Sequence, residues 1–152
     1  MMHFKSVDEI LDYAIDREEE AATFYTELAG KMQKPSMAKI FTDFAKEEWG
    51  HKAKIQDIKK GKTLEPSKEK ILDLKIAEYV EEVPATEKDF DYQKALILAM
   101  NNEKKAFKLY SDLANSTSDP AIKNVFLALA QEEAKHKLFF EVEYDETFLV
   151  EN

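Results

Sequence analysis

Glu48 and His51 stand three residues apart in the segment FAKEEWGHKAKI, and Glu133 and His136 repeat the spacing in LAQEEAKHKLFF. On a helix, residues three apart share a face one turn apart, so each pair presents a carboxylate and an imidazole to the same point. Neutral imidazole and carboxylate together suit divalent cations such as Fe, Mn or Zn. The chain has only three histidines, and two of them fall in this pattern. One Glu-x-x-His on a helix is common and carries little weight. Its repetition, and the company it keeps, carry more.

That company is found by reading each helix at spacings of three and four. The first stripe runs Val7, Leu11, Ala14, Glu18, Ala22, Tyr25, Leu28, Met32. The second runs Met37, Phe41, Phe44, Glu48, His51, Ile55, Ile58. The third gives Tyr92, Leu96, Ala99, Glu103, Ala106, Tyr110, Leu113, and the fourth Ile122, Phe126, Leu129, Glu133, His136, Phe140. Every stripe is apolar except near its middle, where it carries a Glu. A lone ionised carboxylate in an apolar core costs several kcal/mol or takes up a proton. Four in one core would repel, and two imidazoles cannot neutralise them. Two divalent cations can. Di-iron and di-manganese bundles use this set: a Glu from each of two helices and Glu-x-x-His from each of the other two. The expected metal ligands are therefore Glu18, Glu48, His51, Glu103, Glu133 and His136.

The elements that must place these ligands are written twice. Shifted by 85 residues, the sequence lays Tyr25 on Tyr110, Pro35 on Pro120, Phe41 on Phe126 and His51 on His136. Between residues 18–55 and 103–140, 12 of 38 positions agree without a gap. One structural unit has been duplicated, and a two-metal site with pseudo-twofold symmetry takes one set of ligands from each copy. Each copy reads as a helical hairpin. Ser6-x-x-Glu9 is a capping box for helix one, which runs to about residue 32. Pro35 suits the first turn of helix two, and Gly61 ends it. Asp91 caps helix three, and Asp119 with Pro120 starts helix four. Short loops make the helices of each hairpin antiparallel neighbours. The expected architecture is all-α: a single ferritin-like four-helix bundle over 1–152, with hairpins at 6–60 and 91–145 and a long crossover at 61–90. The tail after 140 either extends helix four or docks on a neighbour.

Composition agrees and excludes much. Three Gly, four Pro and 35% charged residues leave few turns in 152 residues. The net charge of −9 and the lack of a basic block argue against nucleic acid or an anionic membrane as partner. With no Cys, disulfides, thiol catalysis, zinc–thiolate sites and iron–sulfur clusters are out. The first residues lack an apolar signal region and no apolar run would span a bilayer, so the cytoplasm is the expected compartment. Glu47 and Glu132 lie off the stripes and read as solvated or as supporting the ligands. Lys52 and Lys137 read as surface charges, and His3 as incidental. Tyr25 and Tyr110 lie two turns from Glu18 and Glu103, either as plain core or with hydroxyls bonded to ligand carboxylates.

Glu18-x-x-Ala21-x-x-x-Tyr25, Glu48-x-x-His51, Glu103-x-x-Ala106-x-x-x-Tyr110 and Glu133-x-x-His136 make the chain resemble the rubrerythrin branch of the ferritin-like superfamily over residues 6–145. The resemblance implies that Glu48 and Glu133 bridge two irons, that Glu18 and Glu103 are terminal ligands, and that His51 and His136 bind one metal each. Two departures stand out. The Cys-rich rubredoxin module of rubrerythrins has no counterpart here, so electrons must come from another protein, such as a rubredoxin or a flavoprotein. Ala106 stands where rubrerythrins carry a further carboxylate, which makes the site more symmetric and closer to a bacterioferritin ferroxidase centre.

The expected function is a di-iron oxidoreductase that reduces hydrogen peroxide, with Tyr25 or Tyr110 orienting a ligand or donating a proton. Ferroxidase chemistry, with Fe(II) as substrate and O2 or peroxide as oxidant, is the alternative. A non-enzymatic metal-binding helical module is the third reading. Manganese or zinc would fit the same donors. Helices this amphipathic often pair, so a homodimer is expected.

Overall fold

The computed structural model describes residues 6–61, 73–78 and 91–149. Four helices account for nearly all of them: α1 (Val7–Lys31), α2 (Pro35–Lys59), α3 (Tyr92–Asn115) and α4 (Pro120–Phe148). No strand occurs among the described residues. The chain divides into two compact units, residues 1–64 and 65–152. α1 packs on α2 in the first and α3 on α4 in the second.

Each helix begins where its side chains satisfy the first free N–H groups. Ser6 Oγ accepts from the Glu9 N–H at 3.1 Å, and Asp91 Oδ1 from the Lys94 N–H at 2.8 Å. Asp119 Oδ1 accepts from the Ala121 N–H at 3.0 Å, with Pro120 in the first turn of α4. Helix α2 has no side-chain cap and starts on Pro35, whose fixed φ suits a first turn. Beyond α2, Gly61 takes φ +98°, which a residue with a Cβ rarely adopts, and its N–H donates to the Ile58 carbonyl. The loops between paired helices are three and four residues long, which makes each pair an antiparallel hairpin.

The apolar stripes are buried. Leu11, Ala14, Ala22, Tyr25 and Leu28 of α1 and Phe41, Phe44, Ile55 and Ile58 of α2 are all withdrawn from solvent. So are Leu96, Ala99, Tyr110 and Leu113 of α3 and Phe126, Leu129 and Phe140 of α4. The duplication shows in the packing itself. Tyr25 stacks on Phe41 at 6.4 Å between ring centroids, and Tyr110 on Phe126 at 6.1 Å.

Helix α4 runs three residues past the expected end of its hairpin, into the tail. The cause is aromatic: Tyr144 and Tyr92 both pack on Phe148 (5.4 and 6.3 Å), while the Tyr92 hydroxyl donates to Glu143 at 2.9 Å. Gln93 adds a bond to the Tyr144 hydroxyl.

Of the expected crossover, the described part is Asp73–Glu78, with a 3-10 turn at Ile76–Glu78 against α3 and α4. Pro66 and Pro84, read as breakers, lie outside the described residues. This turn corrects the reading of Lys137 as a surface charge. Lys137 is buried, its ammonium 2.7 Å from Asp73 Oδ1 and 3.5 Å from Glu141 Oε2. Glu141 is wholly buried and also accepts the Ala77 N–H at 3.2 Å. The turn is thereby clasped to α4. Among the described residues no helix is long and apolar enough to cross a membrane.

A candidate metal centre in two matched halves

Polar side chains inside an apolar core must be explained one by one. In the first unit, α1 places Glu18 and α2 places Glu48 and His51, all at the middle of their buried stripes. In the second, α3 places Glu103 and α4 places Glu133 and His136. None of the six is more than 4% exposed.

The two halves have the same geometry. His51 Nδ1 lies 3.5 Å from Glu18 Oε1 and 3.7 Å from Glu48 Oε1. His136 Nδ1 lies 3.6 Å from Glu103 Oε1 and 4.0 Å from a Glu133 oxygen. Within each half, one donor atom from each of the three residues comes within 4.8 Å of the others.

These distances test the fit to a metal. An imidazolium–carboxylate ion pair closes to about 2.8 Å. Separations of 3.5–4.0 Å are too long for that, yet the donors converge. Donors each about 2.1 Å from one cation stand roughly 3–4 Å apart. The chemistry of the set agrees: two carboxylates neutralise one divalent ion, and a neutral imidazole adds a donor without charge. The residues present therefore fit a metal in each half.

Tyr25 and Tyr110 are buried on the same faces as Glu18 and Glu103, with their rings stacked on phenylalanines. Glu47 is exposed, and Glu132 is half-buried beside Lys135 at 3.5 Å. Lys52 reaches Glu19 at 3.2 Å and lies 5.0 Å from the centre of the Trp49 ring. Ala106 is half-buried and offers no donor.

One cluster escaped the sequence reading: Asp73, Glu78 and Glu141 around the Lys137 ammonium. The i, i+4 spacing of Lys137 and Glu141 was its only signal, and that spacing is common on exposed helix faces. Burial works against the charged form of Lys137, but the hydrogen bond to Asp73 and the nearby carboxylates outweigh it and raise its pKa. Burial likewise opposes ionisation of Asp73, but hydrogen bonds from the Lys137 side chain and the Lys75 N–H hold its pKa below the ordinary value.

The rubrerythrin family model matches residues 9–145, so the chain belongs to the rubrerythrin family. Membership makes it a di-iron carboxylate protein of the ferritin-like superfamily, with the all-α bundle of that class. Two solved structures are similar. One is an uncharacterised conserved protein from Magnetospirillum magnetotacticum MS-1, with 26% identity, 93% of this chain and 95% of that chain covered, and a TM-score of 0.69. The other is a hypothetical protein from Pyrococcus furiosus, with 23% identity, 93% and 89% covered, and a TM-score of 0.62. No curated protein matches the chain.

Proposed function

We propose that the two halves act as one dinuclear iron centre that reduces hydrogen peroxide with electrons from an external protein. The observation that carries this reading is the matched pair of His–Glu distances, 3.5 Å in one unit and 3.6 Å in the other. Glu18, Glu48 and His51 hold one metal, and Glu103, Glu133 and His136 the other. By the family resemblance, Glu48 and Glu133 would be the carboxylates available to both metals.

Peroxide reduction takes two electrons and two protons and yields two waters. Iron held by these residues would supply the two electrons. The chain does the rest. Four carboxylates balance the charge of two divalent ions, so the buried centre is close to neutral. The imidazoles stay neutral to act as ligands. Tyr25 and Tyr110 orient ligand carboxylates or hand a proton to the departing oxygen. The apolar layers of Phe41, Phe44, Phe126 and Leu129 limit water near the metals. The chain has no Cys with which to carry its own electron-transfer iron. The electrons would come from an external rubredoxin or flavoprotein.

Ala106 favours a second reading. Without the further carboxylate the halves are symmetric, as suits a ferroxidase whose substrate is Fe(II). Anaerobic loading with Fe(II), followed by near-ultraviolet absorbance on addition of peroxide or O2, separates the two. Faster oxidation by peroxide, with turnover when a reductant is supplied, supports the peroxidase. Faster oxidation by O2, with continued uptake of Fe(II), supports the ferroxidase. Bound metal that neither oxidant touches would make the centre structural.

A further inference from the structure

The two copies of the hairpin, alike in their ligands, differ on the outer face of the helix that carries Glu-x-x-His. At the shift of 85 residues, Leu138, Phe139 and Val142 of α4 stand where α2 has Ala53, Lys54 and Asp57. Phe139 is 43% exposed, Val142 is 36% exposed and Leu138 is half-buried. Val142 lies three residues from Phe139 and four from Leu138, so the three adjoin on the helix surface. A single exposed apolar side chain is ordinary. Three together, in one copy of the repeat and not the other, ask for a cause.

The cause lies behind the patch. The Phe139 ring meets the Phe140 ring edge-on, with centroids 5.6 Å apart. Phe140 is wholly buried and stands one turn beyond His136 on the same stripe. Two adjoining aromatic rings therefore lead from solvent to within one helical turn of a buried metal-ligating imidazole. At the matching positions α2 has Lys54, which is exposed, and Ile55, so the first copy has a ring at neither.

Resting on the peroxidase reading above, we propose that Phe139 and Phe140 are the route by which electrons enter the centre, through its second half, and that the Leu138–Phe139–Val142 patch is where their donor docks. The donor is a one-electron carrier protein with an apolar contact face. Lys135, at the edge of the patch, is answered by Glu132 at 3.5 Å, so apolar contact rather than charge leads the docking. Electron-transfer encounters use small interfaces, which a patch of this size can supply. A carrier fits better than a second copy, because a patch that only joined two chains would need no aromatic path inward. Each encounter passes one electron: the carrier is oxidised by one unit, and one Fe(III) of the centre becomes Fe(II). Two encounters return the two electrons that peroxide removed. The halves are thus matched as ligand sets and unmatched in their access to electrons.

The test uses the full chain with a purified rubredoxin as the carrier. Calorimetry on the zinc-loaded protein reads docking with no electron moving. Stopped-flow absorbance on the iron-loaded protein, first oxidised by peroxide, reads transfer from reduced rubredoxin as its concentration is raised. Phe139→Ser and Val142→Ser should each weaken docking roughly tenfold or more. Phe140→Leu, with wild-type metal content and melting temperature, should dock normally and lower only the limiting rate. Lys54→Ala, at the matching position of α2, should change neither. Wild-type docking in Phe139→Ser together with a wild-type limiting rate in Phe140→Leu overturns the proposal, as does a wild type that binds no rubredoxin. A change in the oligomeric state of Phe139→Ser by light scattering, with docking intact, gives the patch to a second copy and equally overturns it. If peroxide fails to oxidise the iron-loaded wild type, the peroxidase reading fails and takes this proposal with it. If peroxide succeeds and the variants behave as wild type, this proposal fails alone.

Discussion

His136 Nδ1 stands 3.6 Å from Glu103 Oε1, within a tenth of an ångström of the separation between His51 Nδ1 and Glu18 Oε1 85 residues earlier. The distance is longer than a charge-assisted hydrogen bond and suits two donors sharing a cation. It also sets different expectations for the different carboxylates. On the proposed assignment, Glu18→Ala and Glu103→Ala would each remove one terminal ligand and should lower metal content from two ions to one. On the same assignment, Glu48→Ala and Glu133→Ala would each remove a carboxylate that serves both ions and should lose both. Metal analysis of the four purified variants checks this, and equal losses from all four would contradict the bridging assignment.

Removing the metal should cost stability, because two buried carboxylates in each unit are then left without a cation. The melting temperature of the metal-free protein is expected to rise steadily with the logarithm of free Fe(II) or Mn(II), as ligand linkage requires. Calorimetry across a metal series measures it. A melting temperature insensitive to metal would mean that the carboxylates are stabilised in another way.

Lys137→Met leaves wholly buried Glu141 without its cation and should destabilise the protein by about 3 kcal/mol. Lys137→Met together with Glu141→Gln should recover much of that loss. The read-out is the urea midpoint of the three proteins. Similar midpoints for single and double variants would show that the clasp contributes little.

Asp73 gives the same clasp a pH signature. Its folded pKa is lowered from the ordinary 3.8, so its contribution is present above 3.8 and fades as pH falls through the folded value. Asp73→Asn should therefore be less stable than wild type at neutral pH, by up to about 1 kcal/mol because Asp73 is half exposed. The gap should close in acid. Paired melts at neutral pH and below pH 3.8 test the sign, and a gap that widened in acid would refute it.

Tyr25→Phe and Tyr110→Phe keep the ring stacking on Phe41 and Phe126 and lose only a hydroxyl. Both should keep two metals and the wild-type melting temperature to within about 1–2 kcal/mol of stability. Peroxide turnover should fall roughly tenfold or more if the hydroxyl passes a proton. Unchanged turnover in both would leave the tyrosines as core residues.

Much of this was readable in advance because helices advertise themselves locally. Ser6, Asp91, Asp119 with Pro120, and Gly61 mark ends that depend on only a few neighbouring residues. The four Glu were legible because an acid in an apolar stripe conflicts with burial. Lys137 was not. Its burial depends on Asp73 and Ala77, more than 55 residues away in a connection with little periodicity of its own. The tail left two readings open, an extension of α4 or docking on a neighbour, for a related reason. Tyr144 and Phe148 hold it only by meeting Tyr92 on another helix, and nothing local in the tail, rich in acids, announces that contact.

The central claim is that six buried side chains from two matched hairpins hold a pair of metals. Native mass spectrometry of the full chain, purified without added metal and reloaded anaerobically with Fe(II), tests it most directly. The account predicts two irons per chain in the wild type and none in Glu48→Ala. A wild type that took up no stoichiometric metal under any loading would contradict it, and the four buried glutamates would then need another cause.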